Sequence, residues 1–123
     1  MSRYILGILA LAVAALHFFA GGQEIVKPLL TSNIPTASIT VLYACWHIVT
    51  VLLAWSAFVF WKGGAAAFHF GLLWVASSLA FLWACVFVPT TIELFIAPQW
   101  VLLGPIGLFA LWCNRKATQL RSN

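Results

Sequence analysis

The chain has no aspartate and only two glutamates in 123 residues. That scarcity removes Ser-His-Asp and Cys-His-Asp sets, because no aspartate is present to orient the histidine. Charge of either sign is scarce too, at 7% of residues. Soluble domains carry about 25%. A water-soluble domain of this length could not hide a composition that is 64% hydrophobic. No glycine-rich phosphate loop precedes a helix, and no dense metal-ligand motif occurs. Cys45, Cys85 and Cys113 lie outside any loop suited to a disulfide and read as soft packing residues. The class is a single-domain integral membrane protein over residues 1–123.

The pI near 9.4 does not point to nucleic acid. Six basic residues spread over a membrane chain, with no basic run, read as topology signals. Charges divide the sequence into uncharged stretches at 4–23, 28–61, 63–92 and 94–114. Each is long enough for the roughly 20 residues that cross a bilayer. Turn residues trim them: Thr31 to Pro35, Gly63-Gly64, Pro89 and Pro98. The expectation is an all-α bundle of four transmembrane helices at about 3–21, 37–61, 65–88 and 97–114. The first is read as a retained helix, since Phe18-Phe19-Ala20 lacks the small-residue pattern of signal cleavage.

Four spans put both termini on one side. Arg3, Lys62, Arg115, Lys116 and Arg121 share that side, and only Lys27 lies opposite, with Glu24 and Glu93. The positive-inside rule makes that side cytoplasmic. The expected location is the bacterial inner membrane. Tyr4, Trp61 and Trp112 then mark the inner interface and Trp100 the outer one. Gly21-Gly22 is read as a hinge, and residues 22–36 as an outer loop whose apolar part could lie on the interface.

Two helices carry informative stripes. On the first, Arg3, Gly7, Ala10, Ala14, His17 and Gly21 recur at steps of four and three, a small-residue seam for close helix approach. On the second, Thr36, Thr40, Tyr43, His47, Thr50, Ala54, Ala57 and Trp61 share one face, polar in its outer half. The third offers Gly71, Ser78 and Cys85 at seven-residue spacing, with His69 near the inner end. The fourth contains Gly104-Pro105 and Gly107, an expected kink.

An ionisable residue inside a membrane span is a functional-site hypothesis by default. The expected site is an outer-half polar cleft with His47 as floor and His17 as wall. Tyr43, Thr40 and Thr50 line it, and Glu24 and Glu93 stand at the outer surface. A small amphiphile, a lipid head group or a quinone fits that chemistry. The plainer reading makes both histidines hydrogen-bonded helix glue in an accessory subunit, a homo-oligomer or a larger complex. Two histidines on facing helices also suit a bis-histidine haem b or another metal site, with His17 and His47 as candidate ligands. Cys45 and His47, two residues apart on a helix, point to different sides and do not make a joint site. The reading leans away from an enzyme.

The run HFFAGGQEIVKPLL, followed by YACWHIVTVLL, is similar to small uncharacterised four-span bacterial membrane proteins. It resembles the DoxX-like group in span count and in the glycine-containing end of the first helix. The likeness covers the first half of the chain and implies a four-span fold. It carries no catalytic motif, so no activity or site residue follows from it. Small four-span multidrug transporters are similar only in size: they have a glutamate in the first helix, where this chain has His17.

Overall fold

A computed structural model describes residues 2–87 and 99–119, the stretch 116–119 by backbone alone. Among these residues the chain is all helical. Four helices follow one another: α1 (Ser2–Leu30), α2 (Thr36–Lys62), α3 (Ala65–Phe87) and α4 (Gln99–Gln119). The first three are long and apolar enough to cross a membrane. The fourth packs along α3.

The first helix corrects the sequence expectation. It does not stop at residue 21, and Gly21-Gly22 is not a hinge. Gly21 is helical (φ −64°, ψ −28°), and the chain continues through one π-helical turn, Gly22–Val26, into a last α-turn at Lys27–Leu30. The cause lies in Pro28, which has no N–H to give and whose ring crowds the preceding turn. The Lys27 amide reaches back five residues to the Gly22 carbonyl. The widened turn absorbs the proline without ending the helix. The end comes at Thr31 and Ser32, whose hydroxyls donate to the Lys27, Pro28 and Leu29 carbonyls left open there. The expected outer loop therefore shrinks to residues 31–35. Pro35, extended at φ −53° and ψ 136°, starts α2, and its carbonyl accepts the Ser38 and Ile39 amides.

The other boundaries follow the reading within a few residues. The α2–α3 connection is the Gly63-Gly64 turn, and both glycines have positive φ, 75° and 88°. With ψ at −168°, Gly63 occupies backbone space that side chains disfavour. Gly63→Ala is expected to cost about 1–2 kcal/mol, read as an earlier midpoint in a detergent unfolding titration. The expected fourth helix runs a turn further than residue 114, and Pro105 lies inside it.

The closest helix pairs are α1 with α2 and α3 with α4; α2 and α3 touch less despite their short turn. The core gathers Leu6 and Ala10 from α1, Ala57, Val59 and Phe60 from α2, Ala67 and Trp74 from α3, and Leu103, Ile106 and Ala110 from α4. On α1 and α2 these residues sit toward the end that carries the N terminus and the Gly63-Gly64 turn. We call this the terminal end and the opposite one the distal end. Between Thr36 and Trp55, α2 has no buried residue, so its distal half offers most of its surface to the surroundings.

Small residues make the close approaches. Gly7 faces the Ala57 carbonyl and Trp61, and Ala10 and Ala14 are buried beside it. This is the seam read from the sequence. Gly71 and Gly107 meet across α3 and α4, each close to the other's backbone carbonyl. The Ser78 hydroxyl donates to the Trp100 carbonyl at 3.0 Å, a polar tie between the same helices.

Candidate functional site

Trp46 organises the contact between α1 and the distal half of α2. Its indole stacks on the His17 imidazole, with ring centres 3.8 Å apart and planes 16° from parallel. It also fills the space over Gly21, one turn along α1, where an added Cβ would run into the ring. The Trp46 carbonyl accepts the Thr50 hydroxyl at 3.0 Å. His17 Nε2 lies 3.5 Å from the same oxygen and donates to it in the Nε2–H tautomer, a long bond. His17 is half-buried and faces protein, as the α1 seam requires.

His47 is placed differently. Its ring meets Tyr43 edge-on at 4.5 Å, within α2. The two imidazoles are not paired with each other: one lies against Trp46 and the other against Tyr43. Among the described residues, neither the His47 ring nitrogens nor the Tyr43 hydroxyl has a hydrogen-bond partner. Thr40 is exposed, and its hydroxyl donates to the Thr36 carbonyl of its own helix. Glu24 is exposed on the π-turn of α1. Glu93 lies outside the described residues. Four of the expected side chains thus fall into two small groups, His17 with Thr50 at Trp46, and His47 with Tyr43.

Helical spacing relates these groups. Trp46, Leu53, Ala57 and Phe60 follow the inward side of α2. Thr40, Tyr43, His47, Val51, Ala54 and Phe58 recur at steps of three and four along another face. On that face the polar residues are distal. Toward the terminal end it becomes an open apolar groove of about 500 Å³ lined by Val51, Ala54, Trp55 and Phe58. At 1.5 Å per residue, His47 stands about 16 Å along α2 from Thr36, immediately beside the groove.

Trp46 and the groove residues were not among the candidates named from sequence. Trp46 escaped because a tryptophan in a membrane helix reads as bulk. The one available signal was its spacing: it lies four residues before Thr50 and eleven before Ala57, on the side that meets the small seam of α1. For metals, no group of three or more His, Cys, Asp or Glu side chains is suitably placed among the described residues. No protein-family model, curated protein or solved structure matches this chain.

Proposed function

We propose that the chain is a multi-pass protein of the bacterial inner membrane, with both termini cytoplasmic and α4 as its fourth span. We propose further that it binds a small amphiphile, a lipid head group or a quinone, along the unpacked face of α2. The observation that carries this reading is the sequence of chemistries on that one face. Two unsatisfied polar side chains, His47 and Tyr43, are followed directly by an apolar groove. An amphiphile's polar end would hydrogen-bond to His47 and Tyr43, with Thr40 beside them. Its apolar part would lie in the groove, against Trp55 and Phe58. Unpaired polar groups within a bilayer are costly, so a ligand that pairs them is favoured. In this reading His17 and Thr50 hold Trp46 and thereby fix the α1–α2 contact behind the site.

The test uses a short-chain benzoquinone titrated into protein in lipid nanodiscs, with melting temperature and affinity as readouts. His47→Leu removes one hydrogen bond and is expected to weaken binding about fivefold to tenfold. Trp55→Ala opens the groove and is expected to weaken it comparably. Unchanged affinity in both variants would end the quinone form of the proposal. The same pair of variants, read by native mass spectrometry for retained phospholipid, addresses the lipid form.

A second reading draws on a different observation. The contact of His17 with Trp46 shows a polar residue joining helices, as expected of an accessory subunit in a larger membrane complex or a homo-oligomer. It predicts co-purification of a partner through α2, and a His47→Leu variant that loses assembly without any quinone effect. A haem or metal at His17 and His47 ranks third; a Soret band or bound metal in protein from native membranes would promote it.

A further inference from the structure

The terminal end of the bundle gathers positive charge from three helices around one turn. Lys62 ends α2 and immediately precedes Gly63. Arg3, from the first turn of α1, passes close to that turn: a Cβ on Gly63 would lie 4.0 Å from Arg3 Cδ. Arg115 follows Asn114, whose Oδ1 accepts the Gly64 amide at 2.9 Å. All three cationic side chains are exposed. Both glutamates of the chain lie far along the sequence from all three, and among the described residues none of these cations has a carboxylate partner. Instead Arg3 and Lys62 rest on aromatic rings. The Arg3 guanidinium sits 5.1 Å from the Tyr4 ring centre and donates one N–H to the Tyr4 hydroxyl. Lys62 Nζ sits 5.2 Å from the Phe58 ring centre. Tyr4 and Trp61 meet edge to face at 5.7 Å between them.

A guanidinium offers five donors and an ammonium three, so most of the hydrogen-bonding capacity here is unspent. Orientation in a membrane requires only that positive residues lie somewhere on one side. Three helices that each set a cationic residue beside a single turn, two of them with an aromatic ring under the charge, make a narrower arrangement. It matches an anionic phosphodiester at the depth where lipid head groups lie.

We infer that Arg3, Lys62 and Arg115, set around the Gly63-Gly64 turn, form a binding site for the phosphodiester head group of an anionic membrane lipid. The site lies at the opposite end of α2 from His47, and it meets the proposed amphiphile groove only at Phe58, under Lys62. Its arginines present planar forks to phosphate oxygens, while Lys62 adds a point charge. The Tyr4 and Trp61 rings lie alongside the glycerol region.

The experiment titrates the full chain, purified in a neutral detergent, with phosphatidylglycerol, phosphatidylcholine and inorganic phosphate, and reads dissociation constants by native mass spectrometry. Phosphatidylglycerol is expected to bind at least tenfold more tightly than phosphatidylcholine, with inorganic phosphate weaker than either. Arg3→Gln, Lys62→Gln and Arg115→Gln are each expected to weaken phosphatidylglycerol binding about fivefold, and Lys27→Gln, at the distal end, to leave it unchanged. Arg3→Lys and Lys62→Arg keep the charge and retain most of the affinity, which separates a lost site from a lost fold. Equal binding of the two lipids overturns the inference. So does an equal loss in Lys27→Gln, or saturable binding of inorganic phosphate without phosphatidylglycerol binding.

Discussion

Gly107→Leu is expected to force α3 and α4 apart and to produce the largest stability loss of any single substitution considered. A Cβ on Gly107 would stand 2.9 Å from the Gly71 carbonyl oxygen, the Val75 amide nitrogen and Val75 Cγ2. Two of those three atoms are backbone, so no rotamer change relieves the clash. Gly71 is constrained from the other side, where a Cβ would approach the Gly107 carbonyl and Ala110 at 3.1 Å. Forcing a leucine into this contact costs about 3 kcal/mol or more, a large share of a marginal total. The measurement is reversible unfolding in a mixed-detergent titration, with helix content as readout. Gly22→Ala is the internal control. Nothing lies within 4 Å of a Cβ there, so the substitution is expected to be neutral or to stabilise by about 0.5–1 kcal/mol. If Gly107→Leu melts like the control, close α3–α4 packing is not what holds this half together.

Asn114→Ala is the second large effect. Asn114 is buried and joins two elements far apart in sequence. Its Oδ1 accepts the Gly64 amide at 2.9 Å, and its Nδ2 donates to the Ala110 carbonyl at 2.8 Å. Alanine leaves the Gly64 N–H without its partner in a part-buried turn. An orphaned buried donor costs about 1–3 kcal/mol, and the loss falls on a turn whose two glycines already hold unusual backbone angles. The expected outcome is a destabilisation of about 2–3 kcal/mol, with faster amide exchange at Gly64. Asn114→Asp retains the accepting oxygen, so it should recover part of the exchange protection at Gly64. Slow exchange preserved in the alanine variant would show that the turn holds itself.

Helix existence and most boundaries were legible because uncharged runs of membrane length leave few alternatives in a chain with so little charge. The α1 seam was legible for a related reason: Gly7, Ala10 and Ala14 are small where neighbours of every size would serve against lipid. The continuation of α1 was not. Gly21-Gly22 and Pro28 are the usual marks of a break, and the sequence holds no sign that a π-turn would absorb the proline. The polar stripe on α2 was found, but its direction was not. Thr50 and Ala57 belong to the α1-facing side, whereas Thr40, Tyr43 and His47 belong to the adjoining unpacked face. A stripe drawn at steps of three and four spans both, and only the partner helix decides between them. Trp46 shows the same limit, since its role comes from His17 and Gly21 on another helix.

On the proposed membrane placement, the uninterrupted course of α1 has a further consequence. Its 29 residues reach roughly 43 Å at 1.5 Å per residue, whereas the hydrocarbon slab is about 30 Å thick. The excess is resolved by inclination or by protrusion. Protrusion lifts Gln23, Glu24 and Lys27 clear of the acyl chains on a stiff rod. The same surplus links tilt to membrane thickness, so a thinner bilayer would lean α1 and carry Trp46 and α2 with it.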